Sequence, residues 1–283
     1  MRERIFQSFV CLLLACLLAS PVFACQKTTC KKPKKSFEVY METGFENQPD
    51  FAKYGAKDLG TLYAGNMFNG GKGRDKSLLP SKSKTTSFVE KKYASHTGLL
   101  VLDIESWPVK GSDAIVASSV DKYLTVLEWV KSAAPKAKVG YYGRPPVPTY
   151  SAVQKGTEHQ SYKEWQAQND RLALLADAVD AFFPDCYPNN ANQEGWVRKC
   201  VALINEAKRL GPGKKVYPFI NPRYHSQAAK GLAWSLVPED YFLLQLKTLK
   251  QHADGVVIWD LSRRPWNEKE PWWQATLEFL GSK

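Results

Sequence analysis

"GLLVLDIESWP", residues 98–108, decides how this chain is read. Five glycine or aliphatic positions run straight into Asp103, Ile104 and Glu105. Side chains alternate across a strand, so Leu99, Val101, Asp103 and Glu105 fall on one face. A parallel strand buried on both faces reads as an unbroken apolar run. Acids confined to its C-terminal end therefore put two carboxylates at the mouth of an α/β fold, roughly 6–7 Å apart at Cβ. Close carboxylates repel, which raises one pKa and leaves the other ionised. A glutamic acid that keeps its proton beside a charged aspartate suits protonation of a glycosidic oxygen, a role that contributes on the order of 10²–10⁴ in rate. The plain alternative is two solvated acids capping a loop; the apolar run before them and Trp107 after them weigh against it.

Similar short runs recur along the chain: "FEVYM" (37–41), "GTLYAG" (60–65), "KVGYYG" (138–143), "DAFFPDC" (180–186), "KVYPFI" (215–220) and "GVVIWD" (255–260). Between them lie stretches such as "SVDKYLTVLEWVKSAA", "YKEWQAQNDRLALLADAV", "GWVRKCVALINEAKRLG" and "PEDYFLLQLKTLKQHA". Their apolar residues step by three and four, the helical period. Alternating β and α units imply a parallel sheet. Seven strands could form an open doubly wound sheet, but no GxGxxG follows the first of them. The strand ends favour a (β/α) TIM-like barrel, whose C-terminal face builds active sites. "LDIESWP", "YYGRPP", "FPDCYPNN", "FINPRYH" and "IWDLSRRPW" gather aromatic, acidic, Asn and Arg residues there. The Gly-, Lys- and Ser-rich segment between 66 and 97 reads as a long mobile loop.

These ends supply the remaining candidates. Trp259 and Trp107 can line a sugar subsite, since an indole offers a large apolar face with one polar edge. Tyr142 and Tyr187 can each bring a phenol near the acids. Asp185, Asn221 and Arg223 are further substrate-binding candidates, although such residues after a strand also cap loops.

Residues 1–24 have a charged start, the apolar core "FVCLLLACLLA" and small residues before Cys25, the pattern of a secretory signal peptide. "VFAC" also resembles a bacterial lipobox, so lipidation of Cys25 stands as the alternative to soluble export, whether secreted or periplasmic. Residues 25–36 form a basic linker, and 37–283 a single catalytic barrel. No other apolar run is long enough to cross a bilayer. The formal charge is +11, about half of it in the leader and linker. The modestly basic body favours an acidic polysaccharide by long-range attraction. No helix-turn-helix, RNP or phosphate-loop motif supports nucleic acid. Neither the cysteine spacing nor the four histidines make a metal site, and no cofactor is expected. In an oxidising compartment, Cys186–Cys200 and Cys25–Cys30 are candidate pairs.

"GLLVLDIESWP" resembles the hyaluronidase signature, an Asp-x-Glu followed by Trp at the end of the third barrel strand. "FPDCY" (183–187) and "GVVIWD" resemble two further runs of that family, so the likeness spans roughly residues 37–260. The resemblance implies a distorted seven-stranded barrel, with Cys186 bonded to Cys200, fourteen residues on. It makes Glu105 the proton donor and Asp103 the residue that orients the substrate's N-acetyl group. That group's carbonyl oxygen then attacks the anomeric carbon, so the enzyme retains configuration without a carboxylate nucleophile. Trp259 lines the subsite. By strand counting the family's fourth-strand tyrosine is Tyr142; by literal matching of "FPDCY" its position falls on Ala181, and Tyr187 is retained. The chain departs from the family in having no cysteine after Cys200, which bears on preference for hyaluronan. Chitinase-type barrels share only Asp103 and Glu105 of their D-x-x-D-x-D-x-E motif. The expectation is thus an exported glycoside hydrolase acting on an N-acetylhexosamine polysaccharide. The rivals are a non-catalytic glycan-binding barrel and a chitinase- or lysozyme-like hydrolase.

Overall fold

Seven parallel strands close into a ring in chain order. They are β1 (Glu38–Thr43), β2 (Lys57–Asp58 and Gly60–Tyr63, interrupted at Leu59), β3 (Leu99–Asp103) and β4 (Lys138–Tyr141). β5 (Ala181–Phe182), β6 (Lys215–Val216 and Phe219–Ile220) and β7 (Gly255–Asp260) complete it. The computed structural model describes residues 36–70 and 77–282. The expected leader, the linker up to Lys35, and Cys25 and Cys30 lie outside the described residues.

The register shows the closure. Tyr40 pairs with Lys57, Gly60 with Leu100, Leu99 with Lys138, and Phe182 with Val216. Phe219 then pairs with Val257, and Val256 with Val39, returning to β1. Between β4 and β5 the link is a bridge from Tyr142 to Phe183. Here the strands approach so closely that a Cβ on Gly140 would lie 2.3 Å from the Ala181 carbonyl oxygen, so only glycine fits. Pro218 interrupts β6 because it has no N–H to give the ladder.

Alternation divides each strand between two packed regions. Leu99, Val101, Phe183, Tyr217, Phe219 and Val257 fill the barrel interior. Leu100, Leu102, Val139, Ile220 and Val256 face the opposite way, into the layer packed with the helices. The surrounding helices are Lys82–Tyr93, Asp113–Ala133, Gln160–Asp170, Ala173–Ala178, Gln193–Leu210, Glu239–His252 and Pro271–Leu280. All seven strand positions agree with the sequence pattern. The helical expectation over 162–179 divides at Arg171 and Leu172.

Two expectations change. The segment 66–97 is not simply loop, since Lys82–Tyr93 is a helix whose start is capped by Ser81 accepting from the Lys84 N–H at 3.3 Å. Thr85, Val89 and Tyr93 recur at four-residue steps and are buried; the Lys and Ser around them mask that stripe in the composition. Cys186 and Cys200 are buried free thiols that neighbour one another, not a disulfide. The fold brings the pair together, whereas forming the bond requires an oxidant.

Candidate active site

β3 delivers Asp103 half-buried at its last position, while Glu105 lies two residues beyond the strand and is exposed. The backbone between them is fixed from behind. The Ile104 carbonyl accepts from the Tyr123 hydroxyl at 3.1 Å and from Arg144 Nη1 at 3.0 Å. Both acids line one cavity of about 160 Å³ at the C-terminal mouth, together with Tyr63, Tyr142, Tyr187, Asn221, Trp234 and Trp259. Burial, then the Glu105 charge, pushes the Asp103 carboxyl up to about 6, against a smaller opposing pull from Arg144. Asp103 therefore holds a proton more tightly than an ordinary carboxyl does. The reason is depth: Asp103 belongs to the strand, and Glu105 to the open rim. Glu105 also borders a second cavity of about 370 Å³, lined by Ser106, Pro108, Lys110, Arg144 and Pro148 among others.

Tyr142 and Tyr187 pack against one another with ring centroids 5.7 Å apart. Burial holds both phenols well above the usual tyrosine range. Tyr187 is carried by a tight turn in which Asp185 Oδ1 accepts from its backbone N–H at 2.9 Å. The buried Lys199 ammonium donates to the Tyr187 carbonyl at 3.2 Å. Burial is the largest influence on Lys199 and acts to lower its pKa, but the combined effects of Asp185, Cys200, Cys186 and Tyr150 leave it raised, so the ammonium stays protonated. Asp185 thus serves the turn, and it does not line the cavity.

Trp259 faces the acids from β7. Its Nε1–H donates to the Tyr63 hydroxyl at 3.1 Å, and Tyr63 donates onward to Glu42 Oε1 at 2.9 Å. Burial raises the pKa of Glu42 despite those donors, and burial with the Glu42 charge raises that of Tyr63. A tyrosine and a third carboxyl therefore fix the indole edge-on.

The other candidates divide. Asn221 is buried in the cavity wall, where its Oδ1 accepts from the Arg223 N–H at 2.7 Å. Arg223 does not line the cavity; it pairs with Asp260 at 3.4 Å and donates to the Trp234 carbonyl at 2.8 Å. Trp107 is only 1% exposed, packed on Tyr123 at 4.8 Å, with its Nε1–H on the Leu78 carbonyl at 3.0 Å. It anchors the chain after the acids, sits largely in the apolar core beneath the helices, and contributes to the wall of the second cavity beside Glu105 rather than the first.

Sequence reasoning missed Glu42, Tyr63, Thr61, His225 and Trp234. Glu42 is the penultimate residue of β1 and Tyr63 the last of β2, as Asp103 is the last of β3, so the strand-end rule applied to the first two strands would have found them. His225 and Trp234 sit on an irregular segment where no period gives a signal. Among the described residues no cluster of three metal-ligating side chains occurs, and no helix is long and apolar enough to cross a membrane.

The ring of seven parallel strands with peripheral helices defines a (β/α) barrel. No protein-family model and no curated protein matches this sequence. Among solved structures, bee venom hyaluronidase is similar, with TM-score 0.60 and 17% identity over 86% of this chain and 96% of that one. Bee venom hyaluronidase in complex with a hyaluronic acid tetramer gives TM-score 0.59 and 17% identity over 86% and 95%. At such identity the likeness speaks for the fold, a barrel of the same architecture.

Proposed function

We propose that this chain is an exported retaining glycoside hydrolase acting on a polysaccharide that contains N-acetylhexosamine. The observation that carries the reading is the position of Glu105, which borders both cavities while Asp103 lies within only one. A glycosidic oxygen at Glu105 has a sugar on each side of it. The ring between Asp103 and Trp259 is the one whose anomeric carbon reacts.

Glu105 then donates its proton to the glycosidic oxygen as the bond to the anomeric carbon breaks. Asp103 accepts the acetamido N–H and aims the acetamido oxygen at that carbon, forming a cyclic intermediate whose positive charge the Asp103 carboxylate balances. Water, losing a proton to the Glu105 carboxylate, opens the intermediate with net retention. Tyr142 and Tyr187, beside the acids, favour catalysis over a silent glycan-binding barrel. The leader over 1–24 supports export, and the hyaluronic acid in the bee venom complex supports the choice of polymer class. The test is incubation with hyaluronan, chondroitin, chitin and peptidoglycan fragments, followed by mass analysis. Cleavage next to an N-acetylhexosamine, with the first product retaining its anomeric form, is expected. Cleavage independent of the acetamido group, or with inversion, contradicts the mechanism.

A further inference from the structure

After β6 the chain makes an arm that doubles back over the barrel mouth. Tyr224 N–H donates to the Ser235 carbonyl at 3.0 Å, and Trp234 N–H to the Tyr224 carbonyl at 3.1 Å. His225 and Ala229 tie the arm to the loop after β5 through the Pro188 and Asn189 carbonyls, at 2.9 and 3.0 Å. Arg223, anchored by Asp260, grips the Trp234 carbonyl from the other side. This scaffolding fixes the backbone of Trp234 at φ +64°, in the left-handed region that a bulky L-residue rarely enters.

The indole so held is 58% exposed. An exposed ring adds little through burial, so packing does not explain a tryptophan at a strained position. Backbone strain that the surroundings enforce tends to accumulate at ligand sites. The ring lines the cavity that holds Asp103, Glu105 and Trp259, and is absent from the second cavity beyond Glu105. It therefore belongs to the reacting sugar's side of Glu105 and not to the leaving group's.

We infer that Trp234 is a stacking platform for a further pyranose of the chain, one unit beyond the ring held between Asp103 and Trp259. The inference rests on the proposed glycan-cleaving reading and adds to it a residue that sets preference for longer substrates. The ligand chemistry is the C–H face of a pyranose ring, which meets the electron-rich face of the indole. On this inference a disaccharide spanning Glu105 places no ring on the indole face, while an oligosaccharide extended on the non-reducing side does.

Trp234→Gly tests this, because glycine takes a positive φ without strain and the variant is expected to melt no lower than the parent. Calorimetry in a Glu105→Gln background reads binding without turnover, using chitin and hyaluronan hexasaccharides and the corresponding disaccharides. The glycine variant is expected to weaken hexasaccharide binding by roughly tenfold and to leave disaccharide binding unchanged. Trp234→Tyr, which keeps a ring, restores most of the loss. Equal losses for short and long ligands, no loss for either, or no binding of any hexasaccharide by the Trp234 parent overturns the platform. Hexasaccharide binding that depends on Trp234, without hydrolysis by the wild-type protein, upholds the platform and contradicts the enzymatic reading instead.

Discussion

Trp259 and Tyr63, 196 residues apart in the chain, are joined at the barrel mouth by a hydrogen bond of 3.1 Å from the indole to the phenol. Tyr63 passes the connection to Glu42, so one hydroxyl orients the aromatic wall and satisfies a half-buried carboxyl at once. Tyr63→Phe removes both contacts and leaves the Glu42 oxygen and the indole N–H without this partner. A stability loss of about 1–3 kcal/mol is expected by urea denaturation. A fall in kcat/KM should accompany it, because the indole loses its fixed tilt.

The Asp103 carboxyl gives stability a predictable pH dependence. Its ordinary pKa of 3.8 is pushed up to about 6 by burial and by Glu105, so the folded chain binds this proton more tightly than the unfolded one. The resulting stabilisation is fully present below about pH 4 and is lost as the pH rises through about 6. The loss amounts to roughly 3 kcal/mol, at about 1.4 kcal/mol per pKa unit. Asp103→Asn should therefore raise the urea midpoint relative to wild type at pH 7.5, with little difference at pH 4. An equal change at both values would remove Asp103 as the source. The limb of kcat/KM that rises with pH near 6 should also be absent from the variant.

Cys186 and Cys200 are fully buried and in mutual contact. In the native reduced protein both should resist thiol reagents, and both should react after unfolding. Oxidation should lower the mass by about 2 Da and close a loop of roughly fifteen residues, adding about 3 kcal/mol of stability. Two reactive thiols remaining after oxidation and unfolding would show that the contact does not permit a bond.

Much of this architecture was legible because β-strands in a closed barrel announce themselves locally. "GLLVLDIESWP" carries both the buried face and its chemical end, and Asp103, Glu105, Tyr142, Tyr187, Asn221 and Trp259 all reach the cavity. What sequence spacing does not carry is which partner claims a side chain. Trp107 follows the acids directly yet is drawn into the core by Tyr123 and the Leu78 carbonyl. Arg223 has the charge to meet an acidic ligand, but Asp260 and the Trp234 carbonyl hold it. Trp234 reaches the site through a folded-back arm, a tertiary arrangement with no period to read. The raised pKa of Asp103 likewise depends on depth, which a strand pattern ending at both acids does not show.

The account depends above all on Glu105 delivering a proton between two sugars, and Glu105→Gln tests this most directly. The substitution keeps the side chain's size and removes only its acidity. On whichever N-acetylhexosamine polymer the wild-type protein cleaves, kcat should fall by about 10²–10⁴ with an unchanged melting temperature. Undiminished turnover by the folded variant would contradict the assignment.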